Sequence, residues 1–276
     1  NPLGLILGLF VAQQYILKKL QSDDIINFNA LDEISKNLVK TSDLIVIRDP
    51  YVVLGLVIII VFILFTVSKM PNSKDDKLNE NIGDIFKKLI INRNYISGII
   101  AQALCVGAQI MCWTYIYQYA ENINIDNVSA GYYQMVAFVF FFTGRAVGTY
   151  LLKYIKAGDL LKYYAILASI FTFGAIVFEG IVGLCLLVGV SFFMSINFPT
   201  IYGLSLSNLN SEESKIGSAG LIMAIVGGAL MPKLQATIID IGGYSVNDVR
   251  FFGIPEINFS FILPIFCFIY IARFGL

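Results

Sequence analysis

The sequence contains no histidine, and charged residues make up only 14% of it, against about 25% in soluble domains. Formal net charge is zero, so the chain lacks the basic footprint of a nucleic-acid binder. Its four cysteines, Cys105, Cys112, Cys185 and Cys267, all fall inside apolar stretches. That placement argues against a disulfide framework or a zinc site, and for buried thiols. No apolar stretch carries Asp or Glu near its middle, since Glu121, Glu179 and Asp240 lie near segment ends. The usual proton-relay groups, Asp, Glu and His, are therefore missing from the depth where a pathway would run. A membrane enzyme would need a nucleophile, a metal cluster or a carboxylate pair at depth, and none is visible. The alternating strands of about 10 residues that a membrane barrel requires are absent too. Nothing calls for a cofactor or a metal.

What is present is apolar. Hydrophobic residues make up 57% and mean hydropathy is +0.76. Runs of roughly 20 apolar residues recur, long enough to cross a hydrocarbon core of about 30 Å. We read eight such segments, at 1–17, 50–69, 94–120, 128–153, 160–180, 182–206, 216–241 and 254–275. The predicted fold class is all-α, a polytopic membrane protein. The first residue is Asn1, with no initiator methionine, basic n-region or cleavage site before the apolar run. The chain is therefore expected to begin inside a helix, as a fragment would.

Residues 18–49 read as a long loop, in which ALDEISKNLVK is predicted as a short amphipathic helix at the interface. Residues 70–93 read as a second, basic loop. Placing that loop in the cytoplasm puts Lys69, Lys74, Lys77, Lys87, Lys88, Arg93, Lys153, Lys156, Lys162, Lys215 and Arg273 on the inner side. The outer side then holds Lys18, Lys19, Lys36, Lys40, Arg48 and Arg250. This positive-inside bias puts the C-terminus in the cytoplasm. Residues 1–69 are then the last two helices of an N-terminal half, with the outer loop 18–49. Residues 70–93 link the halves, and 94–276 form a six-helix C-terminal half of a transporter built from two related halves.

The third segment holds AQALCVGAQIMCWTY. At 100° per residue, Gln102, Cys105, Gln109, Cys112 and Trp113 fall within an arc of about 100°. Gly98 shares that face, and Ile100, Leu104 and Met111 are expected on the opposite one. Polar side chains at this depth face the bundle interior or a water-filled cavity, or bond to neighbouring helices. Indole and amides suit a sugar, because the ring stacks on apolar sugar faces and amides both donate to and accept from hydroxyls.

Other residues could share that cavity. Pro199 in SINFPTIYG removes a backbone hydrogen bond and predicts a kink, either for packing or for a site at Asn197 and Phe198. Phe140, Phe141 and Phe142 read as lipid or core aromatics, one of which could face inward. Arg145 in FFTGRAVGTYLLKY lies about 12 Å from the inner end of its segment, at 1.5 Å per residue. It either snorkels to the interface or clamps a carbonyl or carboxylate at an inner gate. Lys233 is a second embedded cation. Gly217, Ser218, Gly220, Gly227 and Gly228 give the 216–241 segment a surface that neighbours can approach closely.

AQALCVGAQIMCWTYIYQYA, FFFTGRAVGTYLL, SFFMSINFPTIYGLSLSNL and GLIMAIVGGALMP together resemble the fucose permease family of the major facilitator superfamily. The resemblance runs over nearly the whole chain and implies helices 5 to 12 of a twelve-helix fold. It implies proton-coupled import of L-fucose by alternating access across the inner membrane, by a monomer. The family's coupling carboxylates lie in N-terminal helices that this chain does not contain. Carried over, Asn1 is a cavity asparagine of helix 5. Gln102, Cys105, Gln109, Cys112 and Trp113 line helix 7, and Phe141 lies on helix 8. Family members similar to this chain carry Tyr where it has Phe198, which widens the expected substrate to a related hexose or deoxyhexose. Lys233 stands where the family is not expected to be charged.

Overall fold

The computed structural model describes residues 2–16, 32–68, 81–241, 243 and 249–276. It divides into two compact units, Gly4–Lys77 and a larger one made of Asn1–Leu3 and Leu78–Leu276. The division falls inside the 70–93 segment.

In the smaller unit, helix α1 spans Pro2–Val11 and continues as a wider helical turn over Ala12–Ile16. Helix α2 spans Glu33–Val67 without a break. The loop expected over 18–49 is therefore helical from Glu33 onward, and the interfacial segment is the first part of a spanning helix. Pro50 lies inside α2. It removes one rung of the helical ladder, yet the flanking stretches hold no glycine between Glu33 and Val53 and stay helical through it. The polar first half keeps its own partners, among them Arg48, whose Nη2 lies 2.8 Å from the Asp49 carboxylate.

The larger unit is a helical bundle. Its helices are α3 (Ile82–Ile91), α4 (Arg93–Thr114), α5 (Ile116–Asn122), α6 (Asn127–Leu151), α7 (Ala157–Val177), α8 (Ile181–Met194) and α9 (Asn197–Leu206). They continue with α10 (Ser211–Met223), α11 (Gly227–Ile239), α12 (Glu256–Ser260) and α13 (Ile262–Phe274). Seven stretches among the described residues are long and apolar enough to cross a membrane: Glu33–Val67, Arg93–Asn122, Asn127–Leu151, Ala157–Val177, Ile181–Leu206, Ser211–Ile239 and Glu256–Phe274. These match seven of the eight segments read from the sequence. The part of the first segment that is described, Pro2–Ile16, is shorter than a span.

Local chemistry sets the ends. Asn92 caps α4, its Oδ1 accepting from the backbone N–H groups of Asn94 and Tyr95. Asp126 caps α6 by accepting from the Ser129 N–H at 3.0 Å, and this bonding to Ser129 holds its carboxyl below the usual range. Asn210 and Glu213 form a capping box that starts α10 earlier than the apolar pattern does. Before α12, strands β1 (Arg250–Phe251) and β2 (Ile254–Pro255) pair antiparallel. The turn between them uses positive φ at Phe252 (54°) and Gly253 (85°).

Helix α4 is the centre of the unit, packed against α9, α11 and α13. Met111, on the face opposite the polar stripe, is fully buried. It lies one turn beyond Gly107, against which Met231 of α11 packs, so the face opposite the polar stripe is covered as well. Small residues allow the approach. A Cβ on Gly227 would strike the Ala103 carbonyl of α4, and one on Gly228 would lie 2.9 Å from Val106. Without a hydrophobic force between helices in lipid, such backbone proximity is what holds them together.

Gly227→Leu should therefore lower the unfolding midpoint of the native protein in detergent, in line with the roughly 1–3 kcal/mol that overpacking costs. Gly203→Ala, where a Cβ meets nothing within 4 Å, should leave the midpoint unchanged or raise it. Equal effects of the two would contradict the packing described.

Candidate substrate cavity wall

Of the stripe on α4, Gln102, Cys105, Cys112 and Trp113 are buried and Gln109 is half-buried. The Trp113 indole N–H donates to Ser191 Oγ of α8 at 3.2 Å. Its ring meets Phe138 and Phe141 of α6 edge-on, with centroids 4.8 and 5.1 Å apart. Edge-to-face pairs of this kind add about 0.5–1.5 kcal/mol each beyond their buried area. Of the three consecutive phenylalanines, Phe141 is the buried one, while Phe140 and Phe142 are exposed at 40% and 41%.

One turn further along α6 sits Arg145. Its guanidinium lies over the Phe141 ring, 5.0 Å from the centroid. Its Nε and Nη2 both donate to the Ser195 carbonyl, at 3.0 and 2.7 Å. Of the two fates expected for this cation, the structure shows the carbonyl clamp. Ser195 and Ile196 form the break between α8 and α9. The reason for the break is Pro199. A helical Ser195 carbonyl would accept from the N–H of residue 199, and proline has none. Pro199 instead falls in the first turn of α9, where a missing N–H costs little. Gly144 permits this contact, because a Cβ there would strike the Phe192 carbonyl. Gly148 does the same for Ile196, which packs with Leu160 and Tyr164.

Two amides stand out. Gln102 and Asn197 are fully buried, and neither the O nor the N of either side chain has a hydrogen-bond partner. Leaving such groups unpaired costs about 1–3 kcal/mol each, so their retention calls for a reason other than stability. Phe198 is half-buried and Pro199 exposed. Asn1 lies outside the described residues. Lys233 is exposed on α11.

Several contributors are not obvious from the sequence pattern. Gln134, Phe138, Phe141 and Arg145 recur at spacings of four, three and four, so they form a second narrow stripe, on α6. Ser191 was hidden in an apolar run. At the far end of α4–α5, Tyr119 extends the first stripe by the same spacing. Its hydroxyl lies 3.0 Å from the carbonyls of Ala175 and Phe178, and Asn258 Nδ2 donates to it at 2.9 Å. Gln235 Nε2 donates to Ser260 Oγ nearby in the fold, at 2.9 Å. Glu256, at the start of α12, is fully buried.

The model of the Major Facilitator Superfamily matches residues 42–239. The chain belongs to this superfamily. An L-fucose-proton symporter of Haemophilus influenzae is 44% identical over 100% of this chain and 64% of its own length. The Escherichia coli protein of the same description is 28% identical, over 100% of this chain and 61% of that protein. A glucose/galactose transporter of Brucella abortus is 28% identical over 83% of this chain and 53% of its own. Among solved structures, one of the E. coli fucose:proton symporter FucP superposes with a TM-score of 0.76 at 27% identity, covering 99% of this chain and 65% of that one. A second, of FucP in the outward conformation, gives 0.75. The chain thus spans somewhat under two thirds of these relatives. The resemblance read from the motifs is met by the relatives found.

If the buried amides serve a ligand, replacing one by an apolar group of similar size should help folding and hurt binding. Gln102→Leu is expected to hold or raise the thermal midpoint of the native protein while weakening substrate binding. A lowered midpoint would mean that the amide is structural.

Proposed function

We propose that this chain forms part of a secondary active transporter that imports L-fucose or a related hexose together with protons, by alternating access across the inner membrane. The observation that carries the reading is a set of aromatic and amide groups in the bundle interior: Trp113 boxed by Phe138 and Phe141, the unpartnered amide of Gln102 about 16 Å away along α4 at 1.5 Å per residue, and that of Asn197 at the α8–α9 break. An indole offers a flat face to apolar sugar carbons, and the amides offer donors and acceptors to hydroxyls. Gln109, Cys105, Cys112 and Phe198 complete the substrate-facing set, and we assign Asn1 to it from the family resemblance. The names of the relatives support sugar and proton as cargo.

Arg145 and Pro199 act as a hinge rather than as sugar ligands. The half-unwound turn at Ser195 is the kind of broken helix that transporters place at their sites. We assign proton coupling to carboxylates outside the middles of the apolar segments read from the sequence, which carry no Asp or Glu there. The positive-inside bias supports a cytoplasmic C-terminus in a multi-pass protein, which we take to be a monomer. The Phe198 side chain, which lacks a hydroxyl, supports keeping glucose or galactose as the second substrate reading, in line with the Brucella relative.

Counterflow of labelled L-fucose in proteoliposomes of the native protein tests the reading. Uptake that L-fucose competes for better than glucose or galactose is expected, and preference for another hexose would overturn the fucose assignment. Sugar binding without flux would favour a non-transporting sensor. Gln109→Ala should weaken sugar binding much more than folding, and equal loss of both would make the stripe structural; Trp113→Ala removes a buried, edge-packed ring and should lower stability as well as binding.

A further inference from the structure

Helix α3 does not pack on the bundle with its whole apolar face. Ile85 and Leu89 are buried against Tyr95 and Leu221. Ile82, Phe86 and Ile90 continue the same apolar arc at spacings of four, yet they are 62%, 57% and 53% exposed. Asp84, Lys87 and Lys88 occupy the other side of the helix, with Ile91 among them at its end. An amphipathic helix with part of its apolar arc uncovered and lysines opposite lies in the plane of a membrane surface. Beside it is a shallow open groove of about 250 Å³. It is lined by Ile90, Ile91, Arg93, Ile96, Ser97, Ile100 and Tyr270. The Ser97 and Tyr270 hydroxyls are 3.2 Å apart and bonded to each other. Arg93 is exposed and makes no hydrogen bond or ion pair among the described residues. From Arg93 to Ile100 the groove climbs α4 by about 10 Å, at 1.5 Å per residue.

We propose that this groove holds one anionic phospholipid of the leaflet that α3 lies in. Arg93 donates to its phosphate, and an acyl chain runs along Ile96 and Ile100 under the cover of Ile90. The level fits a headgroup. Arg93 opens a membrane span, and exposed Tyr154 and Tyr163, with Lys153 and Lys162 over aromatic rings, mark an interfacial belt at the same end of the bundle. The amides at the start of α4 are taken by Asn92, so the guanidinium is the donor. Arginine matches a phosphate with two parallel bonds. The lipid would fasten α3 to α4 and α13, and so fasten the segment that precedes the C-terminal half.

The test is lipid retention. The native protein is purified in detergent with a mixture of phosphatidylglycerol and phosphatidylcholine, and bound lipid is counted by native mass spectrometry. The expected result is preferential retention of one phosphatidylglycerol. Arg93→Ala should reduce it about fivefold, the effect of one basic residue at an anionic surface, and Arg93→Lys should restore part of it. Ile100→Trp, which fills the groove and leaves the charge, should lower retention as well. Equal retention of both lipids by the unaltered protein would overturn the proposal. So would a loss as large in Lys153→Ala as in Arg93→Ala, since that would be general surface charge and not a site.

Discussion

Pro199 has no N–H, so the carbonyl of Ser195, four residues earlier, has no helical donor. In a protein that spans a membrane this acceptor cannot simply turn to water. Arg145 supplies both donors of its fork to it. That one exchange has several consequences. It lets α8 end and α9 begin anew, with Asn197 carried into the interior at the break. It holds a cation at depth without a carboxylate, its charge met by a carbonyl and by the face of Phe141. It also fixes the face of α6 that carries Phe138 and Phe141, and with them the box around Trp113. Gly144 and Gly148 are the steric condition for all of this, because side chains there would hold α6 away from the break.

Around this clamp, buried polar groups range between two extremes. Some are fully paired and join helices, such as Tyr119 with Asn258 and the carbonyls of α7. Others, Gln102 and Asn197, are buried with nothing to bond. A fully satisfied buried network stiffens a structure, whereas a half-satisfied one costs stability. The division separates scaffold from candidate ligand surface more sharply than residue type does. Of the proposed sugar contacts, Gln102 and Asn197 fall on the unsatisfied side of it.

Much of the fold was legible because lipid imposes a length. Seven of the eight apolar runs became spans, and the α4 stripe followed from helical spacing. The exceptions have physical causes. Residues 41–49 read as loop beyond a short helix because charges and Pro50 mark helix ends in water, but one lost rung does not end a helix as long as Glu33–Val67. A polar stripe marks one face of α4 but says nothing of the burial of the other, and Met111 shows that α4 is buried on more than one. Ser191 and Phe138 gave no signal, since a serine or a phenylalanine in an apolar run has the composition of any span. For Arg145, sequence could narrow the outcome to interface or clamp. Only the register between α6 and the break at Ser195 decides between them.

The central claim is that Arg145 replaces the hydrogen bond that Pro199 removes. A double-mutant cycle on thermal stability of the native protein measures it directly. Arg145→Ala alone should cost about 1–3 kcal/mol, because it orphans a buried carbonyl. In the Pro199→Ala background residue 199 regains its N–H, the Ser195 carbonyl has a backbone donor again, and the same Arg145→Ala change should cost much less. A coupling of 0.5 kcal/mol or more in that direction, at the lower edge of the roughly 0.5–3 kcal/mol seen for residues sharing a partner, is the predicted result. Strict additivity of the two substitutions would contradict the account.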